Sequence, residues 1–198
     1  KFEEKFKIKM IETMGLTETC APILSNPPSP NPIKYGSPGI AYGNEVKIFD
    51  ENFNEVERNS IGQICVRGKN VMKEYYKNPE ETEKSFYKDW FLTGDLGLMD
   101  DDNFVFVKGR IKELIIKGGE NISPREIDDV LYQHPAVLEA AAFAVKCKHY
   151  GEKIEAGIVL KKTHEVMENE LIKKLSEYVP SKAPYFSVIL VHGQGRRP

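Results

Sequence analysis

The sequence predicts an α+β protein in two parts, a β-rich first part followed by a smaller unit that mixes helices and strands. Between residues 43 and 108, short apolar runs alternate with glycines and acidic turns, a pattern typical of strands. After Arg110, helix-start signals alternate with apolar runs of strand length. This change of pattern places a boundary near Lys112, so we expect one domain over residues 1–111 and a second over residues 112–198.

A short apolar run at residues 8–11 precedes a proline-rich stretch. Residues 8–11 predict a short strand that runs into a turn at Gly15. Six of the twelve prolines then fall between Pro22 and Pro38. Because proline lacks a backbone N–H and fixes φ, we expect this stretch to be a surface loop rather than a helix or a central strand.

One helix and four strands complete the β-rich part. Asn78 caps the helix, Pro79 suits its first position, and Glu81 follows three residues after the cap. The predicted strands cover residues 46–49, 62–68, 96–99 and 104–107. The polar residues 100–103 join the last two strands as the turn of a hairpin.

The second part opens with a helix-start signal at Ser123. Ser123 and Glu126 form a capping-box pattern around Pro124, and this pattern predicts a helix. Its inward face is expected to carry Ile127, Val130 and Leu131. The remaining elements are predicted as strands over 137–145 and 154–160 and a second helix over 165–178.

Composition and charge argue against several classes of protein. The 198 residues are 40% hydrophobic and 29% charged, which is typical of a globular protein and not of a disordered one. The 28 basic and 30 acidic residues give a net charge of −2, so no basic field favours nucleic acid as a partner. No apolar run approaches the roughly 20 residues that cross a bilayer, so we expect no transmembrane segment.

Cysteine usage indicates the redox environment. The three cysteines, Cys20, Cys65 and Cys147, lie far apart and are odd in number, which favours a reducing compartment over a disulfide scaffold. Each has apolar neighbours, so all three are expected to be small buried residues. The first residues lack the pattern of a secretory signal. We therefore expect a cytoplasmic protein.

The first segment with potential chemistry is the turn around Thr17 and Glu18. A threonine hydroxyl can donate to a phosphate oxygen, and an adjacent carboxylate can hold Mg²⁺ together with substrate phosphates. The alternative is a loop in which Thr17 caps a helix. Taken by itself, the segment favours this alternative.

A second segment, residues 90–95, places Asp95 just after a glycine turn at the end of an aromatic strand. There its carboxylate can accept two hydrogen bonds from a ribose diol. The alternative is a β-turn in which the aspartate satisfies local amides.

In a third segment, residues 109–126, basic residues flank an apolar strand and a glycine pair lets another molecule approach the backbone. The alternative interpretation of this charge pattern is a hairpin exposed to solvent.

Taken together and in order, these motifs resemble the adenylate-forming superfamily of acyl-CoA synthetases, luciferases and peptide-synthetase adenylation domains. The resemblance covers roughly residues 8 to 180, and the string that follows Gly109-Arg110 favours the acyl-CoA ligase branch. Residues 118–124 are most similar to ligases of small carboxylic acids, including oxalyl-CoA synthetase. The matching strings are GLTE, GQICVRG with Tyr75-Tyr76, WFLTGD, GRIKELIIKGGENISPREI, HPAVLEAAAFAV and YGEKIEAGIVL.

The resemblance implies a nucleotide site in the first part, which would be the end of the family's large AMP-binding domain. Glu18 is similar to the Mg²⁺ ligand of the family, and Thr17 to the hydroxyl that contacts phosphate. Asp95 resembles the aspartate that binds the ribose hydroxyls of ATP or AMP, and Arg110 the arginine that joins it. Met14 stands where the family usually carries an aromatic residue that stacks on adenine, so some stacking surface is lost.

The second part would be the family's small C-terminal lid domain. Lys112 resembles the hinge about which this lid rotates between two half-reactions. Gly118 and Gly119 resemble the loop that lines the tunnel for the pantetheine arm of coenzyme A. The implied substrates are a small-molecule carboxylic acid, ATP with Mg²⁺, and coenzyme A.

Two features of the family pattern are missing from the sequence. Nothing before Met14 supplies the family's phosphate loop, and the end of the chain has no counterpart of the terminal catalytic lysine. We therefore expect a C-terminal portion that requires the missing N-terminal domain and forms no acyl-adenylate by itself. A peroxisomal location stays open if the true C-terminus differs. The alternatives are a catalytically degenerate ligase-like scaffold or, without the resemblance, an interaction module.

Overall fold

The computed structural model describes residues 2–28, 30–161 and 186–190. Its internal contacts divide the chain into two compact units, Lys1–Ile111 and Lys112–Pro198. Both units combine helices with sheets, and the predicted α+β class is confirmed. The predicted helix over 165–178 lies outside the described residues.

The first unit is built from short strands and two short helices. Its elements are α1 (Phe2–Phe6), β1 (Thr13–Gly15), β2 (Pro22–Ser25), β3 (Ile40–Ala41), β4 (Glu45–Phe49), β5 (Gly62–Arg67), α2 (Pro79–Lys84), β6 (Phe86–Tyr87), β7 (Trp90–Met99) and β8 (Val105–Arg110). One antiparallel sheet has the order β1-β2-β3. A five-stranded sheet has the order β4-β5-β7-β6, with β8 paired to β7.

The first residues of this unit differ from the prediction. Residues 8–11 form no strand; the strand begins later, at Thr13, and residues 2–6 form a helix instead. The apolar run of Ile8, Met10 and Ile11 predicts a strand from local pattern alone. In the structure these three side chains are exposed. A strand needs a hydrogen-bonded neighbour, and β2 begins its ladder with β1 at Thr13.

The proline-rich stretch also contains a strand that was predicted to be absent. β2 lies in the middle of its sheet, with Ile23 and Leu24 fully buried. Proline is tolerated because Pro22 is the first residue of the strand and pairs with Gly15 at a register irregularity. The next three residues are not proline and complete the ladder.

The four predicted strands of the β-rich part and its helix are confirmed. Strands β4, β5, β7 and β8 contain the predicted runs except for Gly68 and Phe104, and β7 and β8 form the expected hairpin. Helix α2 is capped as predicted, because the Asn78 side chain accepts a hydrogen bond from the backbone N–H of Glu81 at 3.2 Å. The main core cluster of this unit consists of Ile23, Leu24, Val46, Ile48, Ile64, Val66 and Val105.

In the described part of the second unit, one helix packs against a five-stranded sheet. Its elements are β9 (Ile115–Lys117), β10 (Glu120–Ile122), α3 (Pro124–Leu131), β11 (Val137–Cys147), β12 (Gly151–Leu160) and β13 (Phe186–Leu190). The sheet has the order β10-β9-β12-β11, with β13 parallel to β12. Ile127 and Leu131 of α3 are buried in its core, and Val130 is half-buried. The helix begins at Pro124 as predicted, but the Ser123 side chain makes no cap hydrogen bond.

The cysteine prediction holds for one residue of three. Cys65 is fully buried, and burial raises the pKa of its thiol to about 12. Cys20 is exposed and Cys147, which lies between Lys146 and Lys148, is half-buried, so the expected burial fails for both. Cys20 lies outside the core because it ends a 3₁₀ turn with a φ of 56°. None of the helices in the described part of the chain is long and apolar enough to cross a membrane.

Candidate functional site

The first candidate segment is a tight 3₁₀ turn, Thr17–Thr19. The hydroxyl that stabilises it belongs to the buried Thr19, whose Oγ1 accepts from the N–H of Leu16 at 3.1 Å and donates to the carbonyl oxygen of Ala21 at 2.9 Å. Thr17 is therefore not the cap that the alternative interpretation requires, and it lies exposed on the turn. Its hydroxyl is accessible to a ligand.

Glu18 is held by a segment that lies more than fifty residues later in the chain. The hydroxyl of Tyr75 donates to Oε1 of Glu18 at 2.9 Å. The N–H of Met72 donates to the carbonyl oxygen of Glu18 at 2.7 Å, and the Asn70 amide donates to the carbonyl oxygen of Thr19 at 2.7 Å. The turn and its carboxylate are thus fixed at three points.

Tyr75 is itself fixed by helix α2. Its backbone N–H donates to Oγ1 of Thr82 at 2.9 Å. Burial, followed by the hydrogen bond to Glu18, raises the pKa of Tyr75, so its phenol is a stable hydrogen-bond donor at neutral pH. Sequence reasoning used Tyr75 as part of a motif and did not identify this role. No local signal separates Tyr75 from Tyr76, which is 84% exposed.

The second candidate segment forms a bulge in β7. Three residues, Thr93 to Asp95, lie opposite the single residue Ile64 of β5, between the pairs Cys65–Leu92 and Gln63–Leu96. Gly94 takes a φ of +75°, which favours glycine. The predicted turn is therefore real, but it does not end the strand, because β7 continues to Met99.

The hydroxyl of Thr93 closes this bulge. Its Oγ1 donates to the carbonyl oxygen of Ile64 at 2.8 Å and accepts from the N–H of Asp95 at 3.0 Å. One side chain thus satisfies a donor and an acceptor that the bulge removes from the regular ladder. The consequence is a defined position for Asp95.

Asp95 and Arg110 are brought together by the β7–β8 ladder, in which they are direct partners. Nε of Arg110 lies 2.9 Å from Oδ1 of Asp95. The aspartate side chain is 5% exposed and the arginine side chain 59% exposed. The pair therefore joins a buried carboxylate to a cation at the surface, and both were predicted to share a site.

Met14 lies against the core of the first unit and not at an exposed turn like Thr17. Met14 is half-buried and packs against the main core cluster of the first unit. A cavity of about 430 Å³ in this unit is lined by the first three residues of α1 and by residues 10, 12, 26 and 33–35. None of the predicted site residues lines it.

The candidates of the second unit lie at its beginning. Lys112 is its first residue and is exposed in a 3₁₀ turn, Ile111–Glu113. Gly118 and Gly119 are the two turn residues of the hairpin between β9 and β10, with φ values of +57° and +90°. Glycines suit this two-residue turn because both central residues need a positive φ. The turn is exposed, and the N–H of Gly118 donates to the carbonyl oxygen of Tyr150 at 3.1 Å.

Glu18 is the candidate metal ligand. Within residues 2–28, 30–161 and 186–190, no group of three or more His, Cys, Asp or Glu side chains forms a ready cage for a metal. A single oriented carboxylate still fits Mg²⁺, which commonly binds one or two carboxylates together with substrate phosphates and water. The donor chemistry at Glu18 is therefore compatible with magnesium and a polyphosphate.

Two family models match the chain. The model of the AMP-binding enzymes matches residues 1–76, and the model of the AMP-binding enzyme C-terminal domain matches residues 126–192. Their order along the chain agrees with the order of the two units.

Individual proteins that resemble this chain are CoA ligases. The sulfoacetate–CoA ligase of Cupriavidus necator is 42% identical over 97% of this chain, and an oxalate–CoA ligase of Arabidopsis thaliana is 41% identical over 86%. The chain spans 39% and 34% of the lengths of these two relatives.

A solved structure shares the fold. ATP-bound MatB from Rhodopseudomonas palustris matches 99% of this chain with a TM-score of 0.86 and 34% identity, and the chain covers 39% of that protein. These matches confirm the resemblance carried by the motifs. The chain belongs to the AMP-binding, adenylate-forming enzyme family.

Proposed function

We propose that this chain supplies the nucleotide-facing part and the lid of an acid–CoA ligase. A carboxylate is a poor electrophile, so ATP first converts the acid into an acyl-adenylate and releases pyrophosphate. The thiol of coenzyme A then displaces AMP and gives a thioester. The observation that carries the proposal is the Asp95–Arg110 pair, held on adjacent strands in a chain whose fold matches an ATP-bound relative.

Asp95 and Arg110 are proposed to bind the ribose of the nucleotide. A carboxylate accepts hydrogen bonds from hydroxyl groups, and such bonds are stronger when the acceptor is ionised. The guanidinium at 2.9 Å holds the carboxylate in one orientation. The bulge held by Thr93 gives this pair a rigid backbone support.

Thr17 and Glu18 are proposed to face the phosphates. The exposed hydroxyl of Thr17 donates to a phosphate oxygen, while the carboxylate of Glu18 holds Mg²⁺. When bound, the cation offsets the negative charge that develops on the phosphates. The hydroxyl of Tyr75 holds the Glu18 carboxylate through a hydrogen bond to Oε1.

Lys112, Gly118 and Gly119 are proposed to serve the thioester step. The division of contacts between Ile111 and Lys112 supports a hinge at Lys112. The exposed turn formed by the two glycines has no side chains of its own, so a thiol-bearing arm can lie directly against its backbone. Rotation of a lid would let one pocket carry out two different reactions in turn.

The proposed substrate is a small carboxylic acid, as the names of the sulfoacetate and oxalate ligases suggest. We propose that turnover needs the N-terminal domain of this family, because the chain spans 39% of the Cupriavidus necator relative. The proposed location is the cytoplasm, which the three free cysteines support.

The test joins this chain to the part of the Cupriavidus necator enzyme that it does not match. Carboxylate-dependent pyrophosphate–ATP exchange and thioester formation are measured with sulfoacetate and oxalate. We expect both activities from the fusion and no exchange from the 198 residues alone. A fusion that folds cooperatively but neither exchanges nor binds ATP would overturn the proposal and favour a ligase-like scaffold.

A matched pair of variants then tests the ribose contact. We expect Asp95→Asn to raise the Michaelis constant for ATP by roughly ten- to a hundredfold, since hydrogen bonds to a charged group are worth about 1.5–3 kcal/mol. The control is Asp89→Asn, because Asp89 also pairs with an arginine, Arg67, but is 61% exposed. Equal Michaelis constants in the two variants would remove Asp95 from the ribose site.

A further inference from the structure

The side chain of Tyr75 contacts the proposed metal ligand directly. Its hydroxyl donates to Oε1 of Glu18 at 2.9 Å across 57 positions of sequence. A carboxylate that accepts a fixed hydrogen bond at one oxygen loses rotational freedom, so its other oxygen is presented in one direction. Tyr75 therefore sets where the free side of the Glu18 carboxylate points.

The support for this contact is rigid on both sides. Helix α2 fixes the backbone of Tyr75 through Oγ1 of Thr82, and Thr82 in turn donates to the carbonyl oxygen of Asn78 at 2.9 Å. The backbone of Glu18 accepts from the N–H of Met72 within the same segment. A rigid second layer of contacts of this kind orients metal ligands in proteins.

We infer that Tyr75 is a positioning residue, which acts through Glu18 to orient the carboxylate toward a divalent cation bound with the polyphosphate of ATP. This inference rests on the proposed function of Glu18. The inference predicts different effects on the binding of two nucleotides. MgATP binding uses the Glu18 carboxylate, whereas the binding of AMP without metal depends on the Asp95–Arg110 pair and not on Glu18.

The experiment is a nuclear magnetic resonance titration of the 198-residue chain with MgATP and, separately, with AMP in the absence of metal. Tyr75→Phe removes the hydroxyl and keeps the ring. Tyr76→Phe is the matched control, because it makes the same chemical change at the exposed neighbour. Dispersion of the amide signals shows whether each variant is folded.

We expect Tyr75→Phe to weaken MgATP binding roughly three- to tenfold, the effect of one hydrogen bond. AMP binding should change less than about twofold, and Tyr76→Phe should alter neither affinity. Glu18→Gln should weaken MgATP at least as much, and adding Tyr75→Phe to it should have no further effect because the tyrosine acts through Glu18.

Other outcomes overturn the inference in distinguishable ways. Unchanged MgATP affinity in Tyr75→Phe would show that the hydroxyl does not position Glu18. Equal weakening of MgATP and AMP would show a general structural role instead. If the wild-type chain gives no signal changes at Thr17, Glu18 or Asp95 with either nucleotide, the inference is overturned, whereas the proposed function is judged separately by the ATP binding and exchange of the fusion.

Discussion

The Thr93 hydroxyl offers the sharpest test of how β7 presents Asp95. Thr93→Val removes one donor and one acceptor while keeping a β-branched side chain of similar shape. The carbonyl oxygen of Ile64 and the N–H of Asp95 then lose the partners that lie 2.8 Å and 3.0 Å away. Both residues are buried, so water replaces these bonds poorly.

The expected loss of stability follows from these two bonds. A typical hydrogen bond contributes about 1 kcal/mol, and a buried group left unsatisfied costs about 1–3 kcal/mol. The half-buried position of Thr93 and the added methyl group of valine offset part of this. We expect the free energy of unfolding of the first unit to fall by about 2 kcal/mol, a large share of the 5–15 kcal/mol typical of a domain.

Trp90 makes the measurement specific to this unit. It is the single tryptophan of the chain, is 6% exposed, and lies in the same strand as Thr93. Its fluorescence is followed during urea unfolding, where the midpoint should fall while the slope is unchanged. Thr93→Ser is the control, because it retains the hydroxyl and should lose less than about 1 kcal/mol, the value of one buried methylene.

The reasoning is refuted by either of two results. One is a Thr93→Val variant that unfolds at the same urea concentration as the wild type. The other is a Thr93→Ser variant that loses as much stability as the valine variant, which would show that packing and not the hydroxyl supports the bulge.

Three other predictions concern single groups. Burial raises the pKa of Asp128 although the N–H of Ala142 donates to it at 2.6 Å, so the folded state holds a proton more tightly and the second unit loses stability as pH rises through that pKa. Asp128→Asn keeps an acceptor for that N–H and should abolish this loss, measured by thermal unfolding at acidic and neutral pH; an unchanged pH dependence would contradict it. Iodoacetamide should modify exposed Cys20 and spare Cys65, whose pKa is about 12, in the native chain; peptide mapping by mass spectrometry checks this, and equal labelling would be evidence against burial. Gly39→Ala should prevent stable folding, because its new Cβ would lie 2.0 Å from the backbone of β2; circular dichroism showing a native spectrum would disprove this.

Local patterns predicted the elements whose signals lie within a few residues. Strands β5, β11 and β12 follow apolar runs, and α2 follows the cap at Asn78. These predictions succeed because a helix cap or an apolar run depends only on side chains that are close together in sequence.

The predictions that failed depended on distant partners. The predicted strand at 8–11 has an apolar run but no neighbouring strand to pair with. Pro22, in contrast, begins a central strand because its partner is Gly15 at a register irregularity. Cys20 is exposed because of the turn that it ends. The composition of the neighbouring sequence does not determine burial when the backbone turns away.

For the candidate site, the sequence by itself determined which residue types are present and in which order, and that order identified the family. Only the tertiary structure decided the pairings: Arg110 beside Asp95 through the β7–β8 ladder, and Tyr75 on Glu18 across 57 positions. The physical reason is that a motif is local, whereas a hydrogen bond between distant residues depends on strand register and bulges, and these are set by packing of the whole unit.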